Sequence, residues 1–205
     1  MHKMKKILTI AILLVSHSLN AQVKGSFTDT RDGKVYKTVK IGTQTWMAEN
    51  LAYKATSGCW VYENTEGNAA IYGYLYNWET AKKSCPSGWH LPSDSEWEIL
   101  SSYFKGGGNY AGGKLKEIGT THWYNPNSEA TNESGFTALP GGNYYEGSKG
   151  FGGIGERGIW WTSSICPNFG QNYSWSRALY FNYGTGASNT PEDVTNGYSV
   201  RCVKD

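Results

Sequence analysis

Charged side chains are scarce in this sequence, and neither sign dominates. Only 18% of the 205 residues are charged, with 19 Lys and Arg against 17 Asp and Glu. Three of the lysines lie within the first 21 residues, which contain no acid, so the remaining 16 basic and 17 acidic side chains carry a net charge of −1. Without a strong positive field, the chain is not expected to bind nucleic acid or an anionic lipid surface. The low charge also argues against a coiled coil and against charge-rich disorder.

Long apolar runs are also missing, apart from one short segment near the start. Ile7–Val15 is apolar except for Thr9, follows three lysines, and precedes small and polar residues up to Ala21. A membrane-spanning helix needs about 20 apolar residues, so this segment is too short. The layout is that of a secretory signal. We expect residues 1–21 to be a signal peptide and residues 22–205 to be one exported domain, which is not a lipoprotein because no cysteine lies near the cleavage site.

Catalytic motifs are absent as well. There is no G-x-S-x-G, no H-E-x-x-H and no phosphate-binding loop. Gly153–Gly158 matches G-x-G-x-x-G, but it precedes a predicted strand where a nucleotide site needs a helix. Glu96 and Glu98 are two residues apart on a predicted helix and so point in different directions. The sequence therefore predicts a protein that is not an enzyme and that needs no cofactor.

The chain contains no C-x-x-C pair, and beyond residue 21 only two histidines, His90 and His122. These absences exclude the spacing of a structural zinc site, and no metal site is expected. There are four cysteines, at positions 59, 85, 166 and 202. In an oxidising compartment disulfides are the default, and four cysteines allow three pairings that residue spacing cannot rank.

Local patterns predict a few helices among short strands. The turn signal at Arg31–Lys34 predicts a hairpin, followed by a strand near Thr45–Met47. Asn77 is suited to cap a helix that Pro86 stops, and Ser93–Glu96 has the form of a capping box. Further strands are expected at 135–139, 158–163, 177–181 and 198–203, with long irregular loops at 141–157 and 165–176. The fold class is α+β, and no repeat or linker divides the chain.

Aromatic and amide side chains are abundant, with 15 Tyr and 9 Trp. Sugar rings present apolar C–H faces and hydroxyl edges, which flat aromatic rings beside amides or arginine can bind. The same residue types also suit protein contacts, because Tyr and Trp combine apolar area with a polar group. Trp160-Trp161 falls in a predicted strand, and at least one of the two side chains is expected to lie in the hydrophobic core. The candidate ligand-binding residues, all in or beside the predicted late loops, are Asn143, Tyr144, Tyr145, Asn172, Tyr173, Trp175 and Arg177.

Several stretches in fixed order resemble one bacterial family. They include Trp46-Met47-Ala48-Glu49-Asn50-Leu51, Cys85-Pro86-Ser87-Gly88-Trp89-His90-Leu91-Pro92, Gly112-Gly113-Lys114-Leu115-Lys116, Gly135-Phe136-Thr137-Ala138-Leu139-Pro140-Gly141-Gly142, Trp160-Trp161-Thr162-Ser163-Ser164 and Ser199-Val200-Arg201-Cys202. From about Phe27 to the last residue, the chain resembles the Fibrobacter succinogenes major paralogous domain. That resemblance implies an exported bacterial protein, and the function of the family is undetermined.

A looser resemblance concerns the fold. The pattern from Trp78 to Cys85, followed by Leu91-Pro92 and Glu96-Trp97, is similar to the two-helix opening of C-type lectin-like domains and of the formylglycine-generating enzyme superfamily. This resemblance implies two helices packed on short twisted antiparallel strands with long loops. It also implies a disulfide between Cys85 and Cys202. Cys59 and Cys166 then remain, either as a second pair or as two free thiols.

Departures from those relatives bear on function. The chain lacks the Glu-Pro-Asn type triplet and the Trp-Asn-Asp of calcium-dependent lectins, and the corresponding stretch is Asn172–Arg177. It also lacks the closely spaced cysteine pair of the formylglycine enzymes. We therefore expect a non-catalytic module at or near the cell surface, periplasmic or secreted, that binds glycan without calcium. The alternative is an adhesion or assembly module that binds a protein through the same loops.

Overall fold

The computed structural model describes residues 22–104, 111–185 and 187–205. The predicted signal peptide, residues 1–21, lies outside the described residues. The helices are α1 (Glu66–Tyr72), α2 (Trp78–Ser84), α3 (Asp94–Tyr103) and α4 (Ala111–Leu115). The strands are β1 (Val23–Thr28), β2 (Val35–Ile41), β3 (Gln44–Met47), β4 (Cys59–Trp60), β5 (Leu75–Tyr76), β6 (Trp89–His90), β7 (Gly141–Tyr145), β8 (Gly150–Ile154), β9 (Arg157–Ile165), β10 (Tyr173–Tyr180), β11 (Ser188–Asp193), β12 (Tyr198–Ser199) and β13 (Val203–Lys204).

The strands form two sheets. The first has the order β1-β2-β3-β13-β6, and all its pairs are antiparallel. The second has the order β11-β10-β9-β12-β5-β4, and the β7–β8 hairpin joins it beside β9. Strand β13, close to the end of the sequence, therefore pairs with β3 from its beginning. The prediction of an α+β fold is confirmed, with strand prevailing over helix.

Local sequence signals determine where the helices begin and end. Asn77 Oδ1 accepts a hydrogen bond from the Thr80 amide at 2.9 Å, and so caps α2 as predicted. At the start of α3 the Ser93 hydroxyl accepts from the Glu96 amide, while the Glu96 carboxylate accepts from the Ser93 amide at 2.7 Å. This capping box gives Glu96 a structural role. In the described ranges no helix has the length and apolar character needed to cross a membrane.

Strand β9 links two hydrophobic clusters. Its neighbouring residues Trp160 and Trp161 are both completely buried, and they lie in different clusters because successive side chains of a strand point to opposite faces. The Trp161 indole donates to the Tyr76 carbonyl at 2.6 Å, and the Trp160 indole donates to Asn50 Oδ1 at 2.8 Å. Both tryptophans are core residues, whereas the strand assignment predicted this for at least one of the two.

A buried guanidinium joins distant segments of the chain. Arg201 is completely buried, and it donates to Asn50 Oδ1 at 2.8 Å and to the carbonyls of Phe136 and Thr137. Its guanidinium also lies 4.1 Å from the centre of the Phe136 ring. Burial lowers the pKa of Arg201 to about 9, which leaves the side chain charged at neutral pH. The charge is tolerated because carbonyl and amide oxygens surround it.

A buried lysine holds the end of β10. Lys116 is fully buried, and its ammonium donates to the carbonyls of Ser128, Tyr180 and Tyr183 at 2.9, 3.1 and 3.0 Å. Burial lowers the pKa of Lys116 to about 8. The three bonds fix the backbone where β10 ends and thereby position the Tyr180 side chain.

The cysteines fulfil one of the two expected pairings. Cys85 and Cys202 form a disulfide that joins residues 117 apart in the sequence, which confirms the pairing implied by the fold resemblance. The pairing of Cys59 with Cys166 is wrong, because both are free thiols. Cys59 lies in β4, whereas Cys166 follows β9. In the second sheet, strands β12 and β5 lie between β9 and β4. Three strand spacings amount to roughly 14 Å, far beyond the Cα separation of about 7 Å that a disulfide tolerates.

Two regions predicted as irregular loops contain regular structure. Residues 141–157 include the β7–β8 hairpin, and residues 165–176 include a short 3₁₀ turn and the start of β10. The glycines that suggested a loop permit close packing instead, since a side chain at Gly142 would lie 2.5 Å from the Gly152 carbonyl. The strand predicted at 135–139 is also wrong, because only Ala138 forms a bridge, to Lys116.

Removal of the disulfide will destabilise the domain strongly. A closed loop of this length contributes about 4–5 kcal/mol on the chain-entropy model, so the double variant Cys85→Ala/Cys202→Ala should lower the free energy of urea unfolding by that order. Cys59→Ala, which removes a free thiol, serves as the control. An equal loss of unfolding free energy in Cys59→Ala and in the double variant would contradict the stabilising role of the disulfide.

Truncation of Asn50 will leave the Arg201 charge without its main side-chain acceptor. A hydrogen bond to a buried charged group contributes about 1.5–3 kcal/mol, so Asn50→Ala should lower the free energy of unfolding by that order. Asn68→Ala is the matched control, since the Asn68 amide makes one partly exposed bond to the Tyr62 carbonyl. Urea denaturation followed by tryptophan fluorescence measures both. A loss below 1 kcal/mol for Asn50→Ala would contradict this role.

Candidate functional site

Two of the candidate ligand-binding residues are buried and engaged elsewhere. Tyr144 is 6% exposed, and its ring stacks on Trp60 with the centres 4.2 Å apart. Arg177 is 2% exposed and pairs with Asp94 and, at 2.8 Å, with Glu98. Arg177 thereby ties α3 to β10. The structure does not support the prediction that Tyr144 and Arg177 contact a ligand, because both side chains are buried in protein contacts.

Three further candidates lie away from β7. Tyr173 and Trp175 alternate along β10 with the buried Ser174 and Ser176, and are themselves half-buried. By this alternation their side chains share the sheet face of Arg177, which is turned toward α3. Asn172 is exposed and precedes the strand. The structure therefore separates these residues from the β7 candidates.

The two remaining candidates, Asn143 and Tyr145, point to one side of β7. The ring of Tyr145 is 40% exposed, whereas Asn143 is fully buried. Asn143 Oδ1 accepts a hydrogen bond from Arg157 Nε at 3.0 Å. Its Nδ2 group makes no hydrogen bond among the described residues. A buried amide that lacks a partner is costly, and each such group calls for an explanation.

Strand β11 brings a carboxylate toward the same place. Glu192 pairs with Ser174 of β10 across the edge of the second sheet, and its side chain is half-buried. Its Oε2 atom accepts a hydrogen bond from the Tyr198 hydroxyl at 2.7 Å. Tyr198 is itself held by the Trp161 ring, 4.7 Å away, and by the Asn196 amide. The carboxylate thus has a fixed donor on one oxygen.

These residues interact as a group, which we call the Glu192 cluster. Tyr180 directly opposes Arg157 in the β9–β10 pair. Burial raises the pKa of the Tyr180 hydroxyl, and the positive charge of Arg157 opposes this rise. The bridge between Tyr144 and Gly197 sets β7, which carries Asn143 and Tyr145, alongside the segment that leads into Tyr198. Tyr183, 58% exposed, packs edge-on against Tyr180. The members of the cluster are Asn143, Tyr145, Arg157, Tyr180, Glu192 and Tyr198.

The surroundings of Glu192 disfavour the charged form of its carboxyl group. Burial raises the pKa of Glu192 above its ordinary value, and the Tyr198 hydroxyl and the Arg157 charge only partly oppose this effect. Burial also raises the pKa of Tyr198 and of Tyr180, so both hydroxyls remain protonated and can donate. A carboxylate kept at a cost in stability, beside an exposed tyrosine, is typical of a functional site.

Sequence reasoning missed most of this cluster. The sequence patterns predict no strand at residues 188–193, which form the edge strand β11, where Pro191 is tolerated. Glu192 is therefore not among the candidates, and Tyr180 and Tyr198 are predicted only as strand residues. Arg157 was noticed only as the last residue of a predicted loop. Nothing in the sequence shows that five separate strands would bring these side chains together.

A cavity of about 780 Å³ lies elsewhere, between the β1–β2 hairpin and residues 132–139. Several of its polar groups satisfy one another. Glu49 accepts from the Lys37 amide at 2.7 Å, and the Asn132 amide donates to Thr137 Oγ1. Glu133, also in its wall, is paired with a lysine of α4. With these groups occupied, the cavity offers less for recognition than the Glu192 cluster.

The histidines hold structural contacts. His90 lies between Glu96 and Asp205, with nitrogen–oxygen distances of 2.8 and 2.6 Å, and its side chain is 42% exposed. His122 contacts both oxygens of Glu117. Among the residues that the structure describes, no three His, Cys, Asp or Glu side chains are grouped as metal ligands.

Comparison with known families identifies the chain. The family model of the Fibrobacter succinogenes major domain matches residues 39–204. The chain belongs to this family. No curated protein and no solved structure gives a significant match to the Fibrobacter succinogenes major domain described here.

Replacement of Glu192 by glutamine will stabilise this Fibrobacter succinogenes major domain at neutral pH. Because the folded-state pKa of Glu192 is raised, its contribution to stability is present below the ordinary carboxyl value and is lost as the pH rises through the folded value. Between pH 4 and pH 7, the urea midpoint of the wild type should therefore fall relative to that of Glu192→Gln.

The control for this measurement is Glu79→Gln. Glu79 is exposed on α2 and forms only a surface contact with Lys82. Glu79→Gln therefore makes the same charge change with little effect on the urea midpoint. A Glu192→Gln domain that is less stable than the wild type at pH 7, but equal to it at pH 4, would contradict the prediction.

Proposed function

We propose that the protein is an exported, non-catalytic domain that binds glycan at the Glu192 cluster without calcium. The observation that carries the proposal is the half-buried Glu192 carboxylate, which accepts from the Tyr198 hydroxyl. The bridge between Tyr144 and Gly197 brings β7, with its exposed Tyr145, alongside this segment. Such a carboxylate contributes little to the fold at neutral pH. Its retention at an aromatic surface is explained by a ligand.

The chemistry of the cluster matches a sugar. The Tyr145 ring presents a flat apolar face that can stack on sugar C–H groups. The second oxygen of Glu192 accepts from a sugar hydroxyl, while the half-buried Arg157 side chain donates. Binding then needs few rearrangements, because the β7–β8 hairpin and the β9–β10 pair hold the groups in place.

Calcium is not required by this arrangement. A cation bound at Glu192 would also approach the positive charge of Arg157, which acts on that carboxylate. The repulsion between the two cations disfavours metal-mediated sugar binding of the kind found in calcium-dependent lectins.

A C-type lectin-like architecture and export are part of the proposal. Support for the architecture comes from α2 and α3, which succeed one another before the late strands, and from the disulfide between Cys85 at the end of α2 and Cys202 before the last strand. Support for export comes from the same disulfide, since such bonds persist mainly in oxidising compartments. The residues 1–21 pattern predicts the secretory route.

A protein partner is the second candidate. Ile165 and Phe169 are 51% and 55% exposed, and Phe169 packs against Tyr173. This apolar surface at the end of β9 is suited to contact a protein in an adhesion or assembly role. It lies on residues that the sequence predicted for the ligand face.

Glycan binding can be tested with residues 22–205 on an array of polysaccharides and oligosaccharides, with calcium and with chelator. We expect binding that survives chelation, and a loss of at least tenfold in affinity for Tyr145→Ala, because the stacking surface is removed. Tyr103→Ala is the matched control, since Tyr103 is also 40% exposed but lies on α3.

The outcomes of this test are distinct. Equal losses in Tyr145→Ala and Tyr103→Ala would place the binding surface elsewhere. Binding that disappears with chelator would contradict the calcium-independent mode. A folded protein that binds no glycan would favour the protein partner, and Phe169→Ala would then be the variant to test against captured surface proteins.

A further inference from the structure

Strand β1 is an edge of the first sheet. Among the described strands it pairs with β2 alone, in an unbroken register over Val23–Thr28, and five of its six residues are exposed. Ser26 opposes Lys37 of β2, and the Lys37 carbonyl accepts a hydrogen bond from the Ala48 amide at 2.8 Å, on the β3 side of β2. Because opposed residues of an antiparallel pair either bond to each other or both turn away, Ser26 directs its own N–H and C=O out of the sheet.

The outer side of β1 therefore carries a row of free backbone groups. By the alternation of an antiparallel ladder, Lys24 and Thr28 direct their N–H and C=O groups the same way as Ser26. No described residue bonds to these three amides or to these three carbonyls. Such a row is a template on which a further strand can pair.

The other sheet edges in the described part of the chain are protected against such pairing. Strands β4 and β6 have only two residues each. Strand β11 contains Pro191, which has no N–H to donate, and two acids follow it. In β8, Gly153 has a φ of 75° and no partner in the register, so this edge is irregular. Strand β1 has no proline, no bulge and one charge, on Lys24. Because proteins protect edges that stay in solvent, this regular edge is typical of an interface.

We propose that β1 pairs antiparallel with β1 of a second copy of this chain, about a two-fold axis at Ser26. The first sheets of the two molecules then form one continuous sheet. No other described strand has a regular, unprotected edge of this length, so a second copy can pair here only through its own β1. A contact of this kind uses the same surface on both molecules and closes on itself, which leaves no edge for further growth.

The sequence of β1 is complementary to itself in this register. Ser26 pairs with Ser26 of the second copy and Lys24 with Thr28, so all three outward residues are used and about six backbone hydrogen bonds form. No like charges oppose each other, because each Lys24 faces a threonine. On the other face of the strand, Phe27 opposes Gly25 of the second copy, where the missing side chain leaves room for the ring. Charge and size therefore both favour the second copy as the occupant.

A charge exchange at Ser26 tests this pairing. Ser26 is exposed, so the single molecule accommodates a charge of either sign there. In Ser26→Lys and in Ser26→Glu, two like charges oppose each other at the two-fold axis, which is destabilising. Each variant alone should raise the dissociation constant of the dimer at least tenfold, and an equimolar mixture of the two should restore dimerisation. Ser26→Ala keeps the backbone groups and is the matched control, with a dissociation constant like that of the wild type.

Sedimentation equilibrium of residues 22–205, at micromolar to millimolar concentration, measures the dissociation constant. A contact along one short strand is smaller than the interface of a tight dimer, so we expect dissociation in the micromolar range. Thermal unfolding of each variant establishes that it is folded.

The outcomes separate the possible occupants of the edge. A wild-type dimer that is lost in both charged variants and restored by their mixture supports the proposal. A wild type that stays monomeric overturns it, and the edge then fits a strand of a different protein. A dimer that both charged variants retain lies on another surface and also overturns it, as does a mixture that stays monomeric. Because β1 belongs to the first sheet and the Glu192 cluster to the second, none of these outcomes bears on glycan binding.

Discussion

The buried charge of Arg201 is the constraint on which the rest of the fold depends. A completely buried guanidinium is tolerated only where oxygen atoms are held around it. Here they come from Asn50 after β3 and from the carbonyls of Phe136 and Thr137, while the Trp160 indole of β9 donates to the same Asn50 oxygen. These positions fall within four of the sequence stretches by which the family is recognised. The physical reason for those stretches is therefore one shared hydrogen-bonded centre.

This centre also orders the surface that we propose as the binding site. Cys202 follows Arg201 directly and is bonded to Cys85, so the last segment of the chain is fixed both to α2 and to the first sheet. Trp160 anchors β9, whose first residue is Arg157 and which pairs with β10 and β12. Lys116 holds the far end of β10 beneath Tyr180. The side chains of the Glu192 cluster thus project from strands whose positions the core determines.

Sequence reasoning succeeded where the signal is local and failed where it is not. The caps at Asn77 and Ser93 lie within three residues of the groups that they bond, so their patterns can be recognised in any fold. The β7–β8 hairpin was missed because its glycines serve a close approach between strands, and glycine more often indicates a loop. The Cys59–Cys166 pairing failed because residue types do not reveal how many strands separate two thiols. The Glu192 cluster combines β7, β9, β10, β11 and β12, a juxtaposition that only the sheet order supplies.

The surroundings of Arg201 and Glu192 differ in a way that distinguishes a charge used by the fold from a charge that we assign to the proposed function. Both are ionisable groups removed at least partly from water. Arg201 has oxygen acceptors around its guanidinium and aromatic rings beside it, which is the environment of a charge that the fold uses. Glu192 has one hydroxyl donor and a raised pKa, and its other oxygen makes no hydrogen bond to the described residues. Folding alone does not explain unsatisfied groups of this kind, because an apolar replacement would avoid their cost. We therefore propose that a ligand rich in hydroxyl groups supplies the missing partner of the Glu192 carboxylate.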